Sequence, residues 1–583
     1  MNFSPNEVFR GFDSFVQQTL QDWHVPGMAI GVIKNDEIVL CKGYGLRDVE
    51  QNLPVTPETI FGIASVSKAF TTFALALLVE RSLLDWDRPV REYIPWFRLQ
   101  DPAASGITPR DLVCHRSGLP RHDRAWYLSP ASREEVVRQL AFLRPSRAFR
   151  SCYQYQNMMF MTAGFLLEQI TGESWESFIQ REVFDPLHMR RSNFSVETSQ
   201  TLEDIALPYT FTNDQTGRIP FANVDALGPA GSINSSVSDM LAWLRLHLNQ
   251  GMLDGQRLIS TTALQETHRQ QMVVQEAFPN SLVAYPELGP RAYGLGWYLR
   301  TYRGRRMIFH SGGIDGYGSL LSFLPDEDMG VIILSNLDET NCPVPVTFNI
   351  IDRLLGLEPL PWSQRYLNHE GKLQAAAKAA AQKVKEKKVS GTTPGHPTAD
   401  YLGRYTHPGY GSLTLETISP VEANDQPAAF AGHFNLIPLT LNHVHYDTFE
   451  AATPGGDWTR LTFLSDEDGR IVGLRLPVDA NVAPLIFTRQ PETALCDPQT
   501  LAELVGEYEI AEQQFVSIRL TPDGQLSLQL PCQLPQALQA VQEDVFQTAA
   551  YPRCEVSFRR SACGEVASIE ILHPDGLFKA TRN

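Results

Sequence analysis

The amino-acid sequence predicts an α+β domain, an antiparallel sheet flanked by helices, followed by two small all-β domains. Three observations carry that expectation. Strand-like runs lie near both ends of the first 355 residues and bracket a helical middle, which one sheet built from both ends would satisfy. Composition changes at Asn368, where an Ala/Lys-rich stretch and the linker Ser-Gly-Thr-Thr-Pro-Gly-His-Pro interrupt the pattern. The remainder then repeats itself: Leu402-Gly403-Arg404-Tyr405 matches Val505-Gly506-Glu507-Tyr508, Asp447-Thr448-Phe449 matches Asp544-Val545-Phe546, and 463–469 matches 558–564. Each repeat unit is strand-rich with frequent turns, as small barrels or sandwiches are.

Each element has a local reason. Ser4, Pro5 and Glu7 suit the N-cap, N1 and N3 positions of a helix running to about Trp23. Two β-branched runs, 27–34 and 37–43, flank Asn35-Asp36 as a hairpin. Residues 61–70 lead into an apolar helix that ends near Arg81. The region 108–194 is mainly helical, with a loop at 115–120 and a helix over 158–170 closed by Thr171-Gly172; another helix spans 239–248. After Tyr293 the period changes to strands over 295–302, 305–311, 318–324 and 330–335, and a helix over 347–355 closes the domain. The Ala/Lys-rich stretch 371–389 reads as a solvated helical tether rather than a membrane-binding face.

Bulk properties narrow the function. A chain of 583 residues exceeds one hydrophobic core. A net charge of −17 argues against nucleic-acid binding, which needs a basic face. No run of eighteen apolar residues suggests a transmembrane helix, and the N-terminus lacks a basic segment followed by an apolar one, so a cytoplasmic protein is expected. The eight cysteines are scattered without a C-x-x-C pair and read as reduced, mostly buried thiols. No H-E-x-x-H or similar pattern occurs, so neither a metal nor a cofactor is expected.

The chemistry centres on Ser65-x-x-Lys68, where helical spacing sets a hydroxyl and an amine on one face. Unpaired N–H groups at a helix start favour developing negative charge there. Alone this spacing is common. Two further sets accompany it: Tyr155-Gln156-Asn157 just before the 158–170 helix, and His310-Ser311-Gly312 leading into Gly313. Together, in this order, they resemble the penicillin-recognising S-x-x-K serine hydrolases over roughly residues 10–355. The segments 112–120, Pro229-Ala230-Gly231-Ser232 and Tyr293-Gly294-Leu295-Gly296-Trp297 agree with that class C β-lactamase-like pattern.

The resemblance implies a β-lactamase/transpeptidase-like domain and a role for each residue. Ser65 attacks a carbonyl and becomes an acyl-enzyme; Lys68 takes its proton, alone or through Tyr155; Tyr155 protonates the leaving group and helps activate water. Asn157 binds the substrate amide and steadies Lys68, Gly312 and His310 line the site, and the N–H groups of Ser65 and Gly313 form the oxyanion hole. Ser67 fits a structural hydroxyl, and Tyr153 competes with Tyr155 but lacks an Asn two residues on. Met158, Met159 and Met161 suit a core better than a substrate pocket. His115 and His122 are loop residues near the site at best.

Classical lactamases and carboxypeptidases carry a lysine where His310 stands, and a histidine is mostly neutral at pH 7, so demand for a substrate carboxylate is weakened. Histidine there, with two C-terminal units, matches the D-aminopeptidase-like layout and implies that those units are lipocalin-like barrels. The expected organisation is a hydrolase domain over 1–368, a helix and linker over 369–397, and β-barrels over 398–492 and 493–583. The expected activity is hydrolysis of amide bonds in small or non-standard peptides, with D-residue-containing and linearised cyclic peptides as candidates. The rivals are a carboxylesterase with the same site and a catalytically silent peptide- or β-lactam-binding protein. The partner is a small peptide or ester substrate, with no nucleic acid and no membrane; homo-oligomerisation is left open.

Overall fold

The computed structural model describes residues 5–275, 285–386, 388–417, 430–453, 456–490, 497–521, 524–531, 533–542, 544–548, 555–561, 564–573 and 576–582. The chain divides into two compact units, the first comprising Met1–Lys388 with the short segments Pro408–Tyr410 and Val478–Ala483.

The first unit is built on a nine-stranded antiparallel sheet. Its order is Met272–Val273, Ala292–Tyr293, Tyr298–Tyr302, Arg305–Ile314, Tyr317–Leu324, Met329–Ser335, Gly27–Lys34, Glu37–Asp48 and Leu53–Pro54. The two ends of the domain meet where Gly27–Lys34 pairs with Met329–Ser335, Met28 opposite Ser335 and Lys34 opposite Met329. Asn35 and Asp36, with φ of 52° and 62°, form the tight hairpin turn that right-handed strand twist favours.

Both faces of the sheet centre are covered, so its strands read as continuous apolar runs. Helices Phe12–Asp22 and Pro343–Leu354 supply Phe12, Val16, Val346 and Ile350 to a core that includes Ile30, Val32, Val331 and Ile333. On the other face, Gly31 and Gly330 leave room for Val237, Leu241 and Leu244 of helix Val237–Leu248.

Three expectations change in detail. The N-terminal helix is two pieces, Pro5–Val8 and Phe12–Asp22, because Gly11 takes φ 73° between them; Ser4 lies outside the described residues. The run expected as a strand over 295–302 is extended only from Tyr298, since Gly296 at φ 76° turns the chain. The Ala/Lys-rich helix starts earlier, spanning Trp362–Glu386, because Trp362 and Tyr366 anchor its first turns in the sheet core.

The second unit contains two closed eight-stranded barrels, one from Gly403 to Arg489 and one from Gly506 to Arg582. The sequence repeat is a repeat of bonding. Tyr405 and Tyr508 hydroxyls each donate to a carbonyl four residues back, Tyr401 and Leu504, at 2.8 Å. Arg489 and Arg582 donate to the carbonyls of Leu402 and Val505 at 2.9 and 2.6 Å. Phe463 and Phe558 N–H groups donate to Asp447 and Asp544 at 2.9 and 2.7 Å. Of these, the Arg links join the last strand to the start of the first, and each cylinder is closed by pairing of first and last strands, Tyr405 with Arg489 and Tyr508 with Arg582, leaving no open edge.

Candidate active site

Ser65 lies in a 3₁₀ turn, Ala64–Val66, that feeds helix Ser67–Glu80. That helix is buried on every side from Ser67 to Leu78, so its N-terminal end is fixed by core packing. Ala64 holds φ 48°, a left-handed conformation that costs an L-residue about 1–2 kcal/mol. The surroundings impose it: Ile63 N–H donates to the Ile233 carbonyl at 3.0 Å, and the Ile63 carbonyl accepts from Ser319 Oγ at 2.8 Å. Strand Arg305–Ile314 comes this close only because residue 312 is glycine; a Cβ there would stand 2.2 Å from the Ile63 oxygen and 2.3 Å from Ser319 Oγ. A Cβ at Gly313 would meet open space.

Lys68 is fully buried, with Nζ 2.9 Å from Ser65 Oγ and donating to the Ala230 carbonyl at 2.8 Å. Burial, then the charge of Arg121, push its pKa well below that of a free lysine, with Asp123 opposing. The Ala230 turn is wedged between two helices: Gly164 on helix Asn157–Thr171 accommodates Pro229, and Thr71 Oγ1 donates to the Pro229 carbonyl at 2.6 Å. Ser67 Oγ accepts from Ile233 N–H at 3.2 Å.

Tyr155 hydroxyl donates to Ser65 Oγ at 2.7 Å, whereas Tyr153 points elsewhere, its hydroxyl 2.6 Å from that of Tyr298. Burial raises the Tyr155 pKa, so the phenol keeps its proton. The segment behind it is clamped by Gln156, whose N–H donates to His115 Nδ1 at 3.0 Å and whose side chain donates to the Pro120 carbonyl at 2.6 Å and accepts from Met158 N–H at 2.8 Å. Accepting at Nδ1 fixes the proton of His115 on Nε2. The His115 ring lies against Tyr155 at 4.3 Å between centroids, closer to the chemistry than a loop histidine need be. Asp111 anchors the His115 loop, accepting from Arg150 at 2.6 and 3.0 Å and pairing with Arg116.

Asn157 opens its helix and donates from Nδ2 to Asp123 at 3.2 Å; it makes no hydrogen bond to Lys68, which the Ala230 carbonyl holds instead. Its buried Oδ1 has no partner. Met158, Met159 and Met161 are completely buried in the core. His310 is buried too: Nδ1–H donates to the Ser311 carbonyl at 2.7 Å, and Nε2 therefore accepts from the Tyr293 hydroxyl at 2.9 Å. Burial and then Lys68 hold its pKa down at about 3, so the ring is neutral.

Arg121 and Asp123 carry no motif and are not evident from sequence spacing. The Arg121 guanidinium lies over the Tyr155 ring, 5.1 Å from its centroid, and pairs through Nε with Asp123. Asp123 also accepts from Trp126 Nε1 at 3.0 Å. The neighbouring His122 donates its peptide N–H to Asp479 at 3.2 Å, both belonging to the first compact unit. Among the described residues no His, Cys, Asp and Glu cluster is arranged to hold a metal, and no helix is long and apolar enough to cross a membrane. Cys114 and Cys342 are buried free thiols and Cys41 and Cys152 are partly buried ones; Cys496, Cys532, Cys554 and Cys563 lie outside the described residues.

The Ser65 hydroxyl, with a buried amine on one side and a phenol on the other, forms a candidate S-x-x-K site. The Beta-lactamase family model matches residues 12–351, more than half of the chain, and this chain belongs to that family of serine hydrolases. A second model, Domain of unknown function (DUF3471), matches residues 387–489. Among curated proteins, the Unguisins hydrolase ungD' of Aspergillus campestris is 28% identical over 71% of this chain and 78% of its own length. Unguisins hydrolase ungD of Aspergillus violaceofuscus is 29% identical over 76% and 82%. Among solved structures, the octameric penicillin-binding protein homologue from Pyrococcus abyssi shares the fold, with TM-score 0.52 and 23% identity, over 82% of this chain and 99% of that one.

Proposed function

We propose that the protein hydrolyses amide bonds of small or non-standard peptides through an acyl-enzyme on Ser65. The single observation that carries this reading is the chain of contacts at Ser65 Oγ: Lys68 Nζ at 2.9 Å and Tyr155 hydroxyl at 2.7 Å. A neutral Lys68 accepts the Ser65 proton as Oγ bonds to the substrate carbonyl carbon. The carbonyl electrons move onto oxygen, which the N–H groups of Ser65 and Gly313 would stabilise, each by roughly 3 kcal/mol. As the C–N bond breaks, Tyr155 gives its proton to the departing amine and is reprotonated by Lys68. Water, deprotonated along the same route, then attacks the acyl carbon and releases Ser65. Asn157 Oδ1, buried without a partner, is suited to accept an N–H of the substrate. The two relatives named as hydrolases support the hydrolytic class.

A mass-spectrometric screen of a peptide and ester library, with Ser65→Ala as control, tests the reading. Cleavage of peptide amides that disappears in the variant is the expected result. Turnover of esters alone would sink the peptidase assignment, and cleavage surviving in Ser65→Ala would sink the mechanism.

A further inference from the structure

We infer that His122, latched by Tyr410 and Asp479, is a positioning residue for the reaction at Ser65: it holds the loop that sets Arg121 over the Tyr155 ring and Asp123 against Asn157. This rests on the hydrolase reading above and adds residues distant in the chain to that site. Tyr410 and Asp479 lie 288 and 357 residues beyond His122 in the sequence. Their segments, Pro408–Tyr410 and Val478–Ala483, nevertheless belong to the first compact unit, while the residues flanking them belong to the second.

His122 is buried, and its two ring nitrogens and its peptide N–H are all engaged. Nε2 lies 3.0 Å from the Arg144 carbonyl, which can only accept, so Nε2 carries the proton and Nδ1 accepts from the Tyr410 hydroxyl. The peptide N–H donates to Asp479 at 3.2 Å. Burial lowers the pKa of the ring and keeps it neutral, with the Arg144 carbonyl, Asp479 and Asp123 opposing. These three bonds pin a backbone at φ 50°, a left-handed conformation that a histidine keeps only where its surroundings impose it. The residues on either side face the chemistry. The Arg121 guanidinium lies 5.1 Å from the Tyr155 ring centroid. Asp123 accepts from Asn157 Nδ2 at 3.2 Å, while Asn157 Oδ1 stays without a partner. Lys68 senses both neighbours, Arg121 lowering its pKa more than Asp123 raises it. Release of the His122 turn would carry both away, and the net effect on Lys68 is a rise.

The rate at which a fluorophosphonate labels Ser65, followed against pH on the full chain with Ser65→Ala as control, tests this. Tyr410→Phe and Asp479→Ala each remove one bond of the latch, whereas Asp479→Asn keeps an acceptor oxygen. The expected result is that Y410F and D479A label about tenfold more slowly near neutral pH and move the acid limb to higher pH, and that D479N loses less. In an R121Q background, Y410F should move the limb no higher, because the charge it would displace is already gone. A thermal melt of each variant identifies any that fails to fold, and the other latch variant then carries the test. An unmoved limb in the folded latch variants, whatever their rate, or the same upward shift from Y410F with and without Arg121, overturns the inference alone. Absence of Ser65 labelling in the wild type overturns the hydrolase reading and the inference with it.

Discussion

Lys68 Nζ lies 2.9 Å from Ser65 Oγ while the same nitrogen donates to the Ala230 carbonyl at 2.8 Å. The carbonyl takes one amine hydrogen and holds the nitrogen within hydrogen-bond reach of the hydroxyl. With the pKa of Lys68 lowered by burial and by Arg121, that amine is free at a pH where an exposed lysine is charged.

Activity should therefore rise with pH as Lys68 loses its proton, below the ordinary lysine range of about 10.4. Lys68→Met should reduce kcat/KM by about 10²–10⁴-fold, the usual yield of a general base. Replacing Arg121 by Gln removes a positive neighbour, raises the Lys68 pKa and should move the acid limb of the kcat/KM profile to higher pH. A limb that stays in place in R121Q would contradict the electrostatic coupling of these two residues.

Tyr155→Phe removes the hydroxyl donor at 2.7 Å from Ser65 and leaves the Lys68 contact. Because the phenol pKa is raised, no Tyr155 titration should appear in the activity profile up to about pH 10. The variant should lose about 10²–10⁴-fold in turnover. Rapid-quench measurement of its acyl-enzyme gives the check: full activity without the hydroxyl would remove Tyr155 from the mechanism.

Acid should destabilise the first unit before carboxylates titrate. His268 and His310 have folded pKa values of about 3 against about 6.5 unfolded, and burial pushes His115 and His247 well down also. Between about pH 6.5 and 3 the unfolded chain binds more protons, so stability falls as pH falls, by up to about 1.4 kcal/mol per pH unit for each histidine. His247 and His268 share one contact, Nδ1 to Nε2 at 3.1 Å, and titrate as a pair. Urea midpoints at pH 7.5 and 5.0 should differ markedly in the wild type and less in His268→Gln; equal differences would refute the assignment.

Two adjacent glycines should respond in opposite ways. Gly312→Ala drives a Cβ to 2.2 Å from the Ile63 oxygen and should cost about 1–3 kcal/mol or more by overpacking, moving the Ser65 turn with it. Gly313→Ala meets open space, and a strand alanine should leave stability within about 1 kcal/mol of the wild type. Thermal melts of both variants distinguish them.

Much of this was legible in the chain itself. Strand-like runs at 27–34 and 330–335 are buried on both sides, so their apolar content marks them as sheet centre even though they come from opposite ends of the domain. The two barrels are legible because the repeated residues Tyr405 and Tyr508, and Phe463 and Phe558, make the same hydrogen bonds in each; the matching Arg489 and Arg582 contacts emerge only in the fold. Gly11 and Gly296 were less legible: a glycine permits a left-handed turn without requiring one, and only the packing around it makes the chain bend.

The sequence by itself determined the two-ended sheet and the tandem barrels, because periodicity and repeats are read along a chain, and the family resemblance of its motifs singled out Ser65, Lys68, Tyr155, Asn157 and His310 as candidate site residues. Tertiary structure alone decided how they act together. It chose Tyr155 over Tyr153 through the Gln156–His115 clamp, gave Lys68 to the Ala230 carbonyl rather than to Asn157, and neutralised His310 by burying it with both nitrogens bonded. It also brought Arg121, which no spacing marks, over the Tyr155 ring, and Asp123 beside Arg121 and Asn157. Burial and charge proximity are sums over neighbours distant in sequence, and those neighbours are assigned only when the chain folds.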